Sequence, residues 1–374
     1  MNWDILFNIE FPKKVKYRMI ILILIIAVLF VTYIIFIILY INAKKLKKSE
    51  DGNKDTYIPL SLWNNCDAKN KLIEFMKNIT NGSSYVPKED RIAVFDLDGT
   101  LFQETDLTYD DWKLYYYRVN NDSNFNATDE QKEIANEIDS TSKEGKLPEN
   151  LIMRIADTYG QLFNNMTLDE YNKYIKNFIN EPSDGYTNIK RGEAFYKPML
   201  EIIEYLQKND FNIYIISGTE RFQVRSVIEG HINIPKSNVI GSDYKVIATN
   251  QGDKKGNEYE YQKNDNFKFE GEFLINNWKT NKIVGIIREI GKQPILAFGN
   301  SGGDSSMANY VINNNKYNSL AFMVLVDDTE RERGNIEEAE NMKKNCEINS
   351  WISISMKNDW KTIYGENVKK KIPN

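Results

Sequence analysis

The chain has 374 residues, of which 41% are hydrophobic, and its formal net charge is −5. This length and apolar content suit one large or two modest globular domains with a full-sized core. The mild acidity, with no basic stripe outside the N-terminal region, argues against a nucleic-acid partner and leaves the oligomeric state open.

Residues 19–41 form an uninterrupted run without a charged side chain. As a helix this run is about 34 Å long, which is enough to cross a bilayer. No small-residue cleavage site follows it, so we expect an uncleaved single-pass membrane anchor rather than a secretory signal. The expected organisation is a tail at 1–18, the anchor at 19–41, a polar tether at 42–56 and a globular domain at 57–374.

Charge does not decide on which side of the membrane the globular domain lies. Four basic residues precede the apolar run and four follow it, so the positive-inside rule gives a draw. These residues are Lys13, Lys14, Lys16 and Arg18 before the run, and Lys44, Lys45, Lys47 and Lys48 after it. Cys66 and Cys346 could pair outside the cytoplasm or stay reduced inside it, so cysteine content leaves the side open as well.

Short apolar runs bounded by turn residues predict five strands, with helical periods between them. Because strands and helices alternate, we expect an α/β fold with a doubly wound parallel sheet and helices on both faces. The predicted strands are Ile92–Phe95, Asn212–Ile216, Val239–Ile240, Ile295–Phe298 and Leu320–Val326.

Two long excursions interrupt this alternation. Residues 103–190 carry helical segments and are too long for a loop, so they predict a helical cap inserted after the first strand. Residues 244–269 alternate around a turn rich in Gly, Asn, Asp and Lys, which predicts a β-hairpin.

The most informative motif is Asp96-Leu97-Asp98-Gly99-Thr100, directly after the first predicted strand. Two carboxylates one residue apart would lie at the C-terminal edge of the sheet, where open α/β sheets bind ligands. Such a pair can hold a hard cation and attack phosphorus. Alone, however, the motif is equally well read as an Asp-Gly turn.

Three later motifs decide between these readings, because each again follows a strand or opens a helix. Ser217 and Gly218 can donate hydrogen bonds to a phosphate oxygen. Lys282 opens a predicted helix at Ile283–Ile290 and can neutralise a phosphoryl group, although Lys279 stands close enough to compete. In the last motif, Asn300 and Asp304 flank a glycine-rich turn and offer oxygen ligands for a cation.

Together and in this order, the four motifs resemble those of the haloacid dehalogenase superfamily, specifically its phosphoserine-phosphatase-like branch. Leu60-Ser61-Leu62-Trp63, Ile283-Val284-Gly285-Ile286 and the stretch 355–361 further resemble exported bacterial acid-phosphatase-like members. The resemblance covers nearly everything from residue 57 onward. It implies a Rossmann-like fold, a phosphatase of small phosphorylated metabolites, and a catalytic domain outside the cytoplasm.

The resemblance also implies a role for each motif residue. Asp96 would be the nucleophile, Asp98 the general acid and base, and Thr100 would orient their loop. Ser217, Gly218 and Lys282 would bind the phosphoryl oxygens. The cofactor would be Mg²⁺, with Asp96, the backbone carbonyl of Asp98, Asn300 and Asp304 as its expected site.

One position departs from the family pattern, since much of the superfamily has Asp where this chain has Asn300. An amide oxygen can bind Mg²⁺, so we do not interpret the change as a loss of activity. Two alternatives remain, namely a phosphoryl-transferring relative and a membrane-anchored binding protein with a degenerate pocket. A Ser-His-Asp hydrolase is excluded, because the only histidine, His231, lacks partners.

Overall fold

The computed structural model describes residues 18, 21–22, 24–37, 39–40, 59–105, 109–142 and 147–371. The chain divides into two compact units, Met1–Ile58 and Pro59–Asn374. In the first unit, residues 24–37 are helical. Among the described residues, no helix combines the length and apolarity needed to span a bilayer. Residues 19, 20, 23, 38 and 41 of the predicted anchor, most of the predicted tail (1–17) and the whole predicted tether lie outside the described residues.

The second unit is built on a seven-stranded sheet in the order β4-β3-β2-β1-β5-β6-β7. Its strands are β1 (Ile92–Phe95), β2 (Asn212–Glu220), β3 (Val239–Ala248), β4 (Phe267–Ile275), β5 (Leu296–Gly299), β6 (Leu320–Leu325) and β7 (Ile352–Ser355). All neighbouring strands pair in parallel except β3 and β4, which are antiparallel. The predicted α/β fold with a mostly parallel sheet is therefore confirmed.

Helices connect and cover the strands. They are α1 (Asp67–Asn81), α2 (Asp110–Asn120), α3 (Asp129–Ser142), α4 (Glu149–Leu162), α5 (Leu168–Ile179), α6 (Lys197–Gln207), α7 (Arg221–Ile228), α8 (Thr280–Gly285), α9 (Ser305–Ile312), α10 (Ile336–Asn349) and α11 (Met356–Asp359). Short 3₁₀ turns lie at Lys88–Asp90, Arg191–Glu193 and Lys236–Asn238. A π-helix follows α8 at Ile286–Ile290, so the predicted helix at Ile283–Ile290 is two elements.

The apolar side chains of β1 alternate between two cores, one on each face of the sheet. Phe95 contributes to the larger core, where its ring stacks on Phe298 with centroids 4.3 Å apart. Phe298 in turn stacks on Phe322 at 4.9 Å. Because Phe95 and Phe298 each stand just before a predicted site loop, this stack fixes the relative positions of the two loops.

The helices α2–α5 lie between β1 and β2 in the chain, and two of them, α4 and α5, pack against β4. Gly160 of α4 makes the closest approach, because a Cβ there would stand 2.6 Å from the carbonyl oxygen of Gly271 in β4. The Tyr244 hydroxyl donates to the Ala156 carbonyl at 3.0 Å. The helical cap and the β3–β4 pair therefore pack against each other.

Several sequence-based boundaries differ from the structure, most of all around β3 and β4. The antiparallel pair extends over Val239–Ile275 with a connection at 249–266, beyond the 244–269 expected for the hairpin. The predicted strand Val239–Ile240 is therefore ten residues long, and the second strand of the pair begins only at Phe267. The Asp265 carboxylate accepts hydrogen bonds from Asn250, Tyr259 and Gln262, so the connection has a structure of its own. Strand β7 was not predicted.

Cys66 and Cys346 are both free thiols in the structure, and Cys346 is buried. His231 lies beside Phe195 with ring centroids 5.4 Å apart. Neither cysteine nor the histidine joins the predicted site residues.

Candidate active site

The first site loop begins where β1 ends, at the C-terminal edge of the sheet. The backbone N–H of Asp96 donates to the Phe298 carbonyl of β5 at 2.9 Å. Gly99 has a φ of +76°, and a Cβ there would stand 2.0 Å from Nδ2 of Asn300. Only glycine satisfies both conditions, so it lets the first and last motif loops touch.

Lys282 joins the first and last motifs through two buried ion pairs. Its ammonium donates to Oδ1 of Asp96 and to Oδ1 of Asp304, each at 2.6 Å. All three side chains are buried. Burial lowers the pKa of Lys282, but Asp304 and Asp96 outweigh this effect and hold it above its usual value. Lys282 therefore remains charged between the two acids.

Burial and the nearby charge of Asp304 raise the pKa of Asp96, although Lys282 opposes the shift. The second oxygen of Asp304 accepts hydrogen bonds from the backbone N–H groups of Asn300 and Ser301, both at 3.1 Å. Both carboxylate oxygens of Asp304 are thus occupied by protein donors, and the glycine-rich turn is folded around this side chain.

The choice between Lys279 and Lys282 is visible in the geometry. Lys279 is exposed, and its backbone has a φ of +52° immediately before α8 begins at Thr280. Lys282 is the third residue of α8, whereas the sequence placed it immediately before the helix. Its side chain points to the two acids. The earlier start of the helix places Lys282 within its first turn.

Asp98 belongs to a second hydrogen-bonded group, on the β2 side of β1. The Thr219 hydroxyl donates to Oδ2 of Asp98 at 2.8 Å, and the Thr219 N–H donates to the Ser217 hydroxyl at 3.1 Å. Burial raises the pKa of Asp98 well above its usual value, and the charges of Asp96 and Asp111 raise it further. Asp98 therefore keeps its proton to a higher pH than an exposed aspartate does.

The last part of β2, which carries Ser217 and Gly218, is held in place by two side chains. The Asn277 amide donates to the Ser217 carbonyl at 3.0 Å, and the Ser242 hydroxyl donates to the Gly218 carbonyl. On its other side, Gly218 lies against the indole of Trp278. These contacts fix the backbone that the sequence marked as a phosphate-binding loop.

Sequence reasoning did not assign Glu104, which lies eight residues after Asp96. Its carboxylate accepts a hydrogen bond from the Tyr109 hydroxyl at 2.6 Å. Burial raises the pKa of Glu104 to about 7, and interaction with the nearby Asn300 side chain opposes this shift. The Thr100 hydroxyl lies 3.5 Å from Oδ1 of Asn300, so Thr100 contacts the last motif loop.

The donor chemistry at this edge of the sheet suits a hard cation. Asp96, Asp98 and Asp304 supply carboxylates, and only Lys282 offsets their charge within the group. The Asn300 amide oxygen and the backbone carbonyl of Asp98 add neutral oxygen donors of the kind that Mg²⁺ accepts. Within the described part of the chain, no three His, Cys, Asp or Glu side chains form a metal cluster by themselves, so a cation here needs these neutral donors.

No family model matches the chain, and no curated protein matches it. Solved structures align with most of it at low identity. A functionally unknown protein from Anaerococcus prevotii DSM 20548 aligns over 77% of this chain and 90% of its own, with 16% identity and a TM-score of 0.48. Cytosolic 5'-nucleotidase IIIB bound to cytidine aligns over 78% of this chain and 86% of its own, with 14% identity and a TM-score of 0.47. A substrate-bound phosphoserine phosphatase aligns over 63% and 86%, with 16% identity and a TM-score of 0.33.

Proposed function

We propose that this chain is a Mg²⁺-dependent phosphomonoesterase of the haloacid dehalogenase type, acting on a small phosphorylated metabolite through an aspartyl-phosphate. The observation that carries the proposal is the position of Lys282, whose ammonium lies 2.6 Å from both Asp96 and Asp304. A fixed cation beside a buried carboxylate can stabilise the negative charge of a phosphoryl group during its transfer.

Asp96 is the nucleophile in this mechanism. One of its carboxylate oxygens forms a bond to phosphorus as the bond between phosphorus and the leaving alcohol breaks. The neighbouring Lys282 keeps its charge and balances that of the phosphoryl oxygens. Ser217 and the backbone N–H of Gly218 donate to those oxygens, on a loop held by Asn277 and Ser242.

Asp98 supplies the proton that the leaving alcohol needs. Its raised pKa favours the protonated acid before transfer, and the Thr219 hydroxyl holds one of its oxygens in place. In the second step, Asp98 accepts a proton from water as that water attacks phosphorus and frees Asp96. Inorganic phosphate is then released.

Mg²⁺ would be held by Asp96, the backbone carbonyl of Asp98, Asn300 and Asp304, and Asp304 would also position Lys282. When bound, the ion neutralises phosphoryl charge and orients the substrate oxygens. Asn300 lies beside Gly99 of the first motif, which supports its place in the site.

The decisive experiment measures phosphate release from p-nitrophenyl phosphate by the full-length chain, with and without Mg²⁺. We expect metal-dependent release, and an acid-stable, hydroxylamine-labile phosphoenzyme formed on Asp96. Asp96→Asn should lower the rate of phosphate release about a thousandfold or more and abolish formation of the phosphoenzyme. The exposed Asp253→Asn should behave like the natural chain. Full turnover in Asp96→Asn would overturn the nucleophile, and absence of turnover would favour a binding protein. Transfer of the phosphoryl group to an added alcohol in preference to water would indicate a phosphotransferase.

The N-terminal region gives a separate part of the proposal. The absence of charge from residues 19–41 supports a bilayer anchor. The resemblance to exported phosphatase-like proteins supports a catalytic domain outside the cytoplasm. Alkaline carbonate extraction of membranes tests the anchor, since a peripheral protein would be released. Protease added to intact cells should remove the catalytic domain, and full protection would place it inside.

A further inference from the structure

A narrow cavity lies beside the Gly218 loop, between the cap helices and the β2–β4 edge of the sheet. Its volume is about 40 Å³, so it holds only a few waters and suits a compact chemical group. Five aromatic side chains line it: Trp112, Tyr159, Tyr244, Phe273 and Trp278.

The charge of the lining is one-sided. Asp111 and Glu220 contribute carboxylates, while no Lys, Arg or His is found among the described residues that line the cavity. Both oxygens of Glu220 accept backbone N–H bonds at the start of α7. One oxygen of Asp111 accepts the N–H of Trp112, and no Lys or Arg in the described part of the chain forms an ion pair with Asp111.

Asn276 contributes a further polar side chain to the wall. Oδ1 of Asn276 is buried, and no described donor reaches it. The cavity thus combines aromatic faces with two oxygen-bearing side chains that retain capacity for a ligand, Asp111 and Asn276.

The position of the cavity connects it to the reaction. Gly218, in its wall, directly follows the phosphate-binding Ser217. Gly218 and Glu220, both in the wall, flank Thr219, whose hydroxyl donates to Oδ2 of Asp98 at 2.8 Å. Since Asp98 protonates the leaving alcohol in the proposed mechanism, the group attached to that alcohol would enter this cavity.

We propose that the cavity binds a small organic cation carried by the leaving alcohol, so that the substrates are alkylammonium phosphomonoesters; this inference rests on the proposed phosphatase function. Aromatic faces attract a cation through their quadrupoles, and the carboxylate of Asp111 adds direct electrostatic attraction.

The first test compares two substrates of nearly equal shape on the full chain, phosphocholine and the uncharged 3,3-dimethylbutyl phosphate. We expect kcat/KM to be about tenfold higher for phosphocholine. Equal values for the two esters would overturn the cation site while leaving the phosphatase intact. A preference for phosphoethanolamine over phosphocholine would retain the cation and identify a primary ammonium as its form.

The second test separates Asp111 from its place in the helix. Asp111 is the second residue of α2, where an acid also interacts with the helix dipole, and Asp169 has the same place in α5. We expect Asp111→Asn to reduce the ratio of kcat/KM for phosphocholine over the neutral ester about tenfold. Asp169→Asn should not change this ratio. An unchanged ratio in Asp111→Asn would assign Asp111 to helix stability alone.

A binding measurement keeps the inference independent of turnover. Tetramethylammonium should quench the fluorescence of Trp112 and Trp278 with saturation, and Asp111→Asn should weaken its binding. Saturable quenching in a protein that releases no phosphate would overturn the phosphatase and retain the cation site. Absence of saturable quenching would overturn the cation site, whatever the activity.

Discussion

Trp278 occupies the place where a side chain on Gly218 would stand. A Cβ at Gly218 would lie 2.1 Å from Nε1 of the indole, well inside van der Waals contact. Trp278 is 40% exposed, so its ring covers the proposed phosphate-binding segment of β2 from the solvent side. The glycine is required here by the close approach of the ring rather than by an unusual backbone conformation.

Gly218→Ala should therefore displace either the indole or the loop. We expect kcat/KM for p-nitrophenyl phosphate to fall about tenfold, because a small displacement of phosphate donors weakens transition-state binding. The tryptophan emission should shift in the same variant. Gly256→Ala is the matched control, since a Cβ there meets open space. Full activity together with an unshifted emission in Gly218→Ala would contradict the close approach.

Asp98→Asn tests proton donation through the leaving group. The Asn side chain keeps an oxygen for the Thr219 hydroxyl but cannot transfer a proton. With an alkyl phosphate, we expect the rate of phosphoenzyme formation to fall about 10²- to 10⁴-fold. With p-nitrophenyl phosphate this rate should fall much less, because nitrophenolate leaves without protonation. Single-turnover kinetics on both esters measure this difference. Equal losses would remove Asp98 from the role of acid.

Lys282→Met removes the ammonium between two buried carboxylates. The acids would then be left unpaired, so the free energy of unfolding at neutral pH should fall by about 3–5 kcal/mol. Urea unfolding measures the change, and phosphate release should fall as well. Lys279→Met, on an exposed neighbour, is the control and should change stability by less than about 0.5 kcal/mol. A similar loss in both variants would argue against a special role for Lys282.

Asn300→Asp tests the amide in the expected metal site. The added charge should keep activity and lower the Mg²⁺ concentration required for half-maximal rate, because a carboxylate binds Mg²⁺ more strongly than an amide. The new carboxylate would also lie near Glu104, whose pKa the Asn300 side chain now lowers. A Mg²⁺ titration of the rate measures the effect, with the exposed Asn257→Asp as control. An unchanged titration would contradict a ligand role for Asn300.

Glu220→Gln tests the effect of a buried acid on stability. Burial raises the pKa of Glu220 from 4.5 to about 7, so the folded chain binds its proton more tightly than the unfolded chain. The contribution of Glu220 to stability is therefore greatest below pH 4.5 and is lost as the pH rises to about 7. Glutamine stays neutral and retains an oxygen for the start of α7.

The stability difference between Glu220→Gln and the natural chain should thus shift in favour of the variant between pH 4.5 and pH 8, by up to about 3 kcal/mol. Urea unfolding at the two pH values measures this shift. Glu258→Gln, on an exposed side chain, should show no such shift. A difference that does not depend on pH would mean that Glu220 is ionised equally in both states.

The centre of the fold could be predicted because its signals are local. Ile92–Phe95 are all buried and are bounded by Arg91 and Asp96, so the apolar run and the strand coincide. Strand β7 was missed because its Ile-Ser alternation is short and only alternate residues are buried. Strand β4 was also harder to place, since its pairing with β3 follows a long polar connection.

The site could be predicted in part for the same reason. Residues at strand ends, such as Asp96 and Asn300, are marked by the strands that precede them. Thr219 and Asn277 were not assigned, because their partners Asp98 and Ser217 lie 121 and 60 residues away in the chain. Such pairs depend on the order of strands in the sheet, which single-sequence patterns do not determine.

Lys282 lies 186 residues after Asp96, and β1 stands at the middle of the sheet with later strands on both sides. In a nascent polypeptide on the ribosome, the proposed site is therefore incomplete until Asp304 has emerged and the strands on both sides of β1 have paired. Recovery of turnover after dilution from urea would lag behind recovery of helical signal, since it reports the last long-range docking. Turnover is thus a more demanding assay of correct folding in this chain than its secondary structure content.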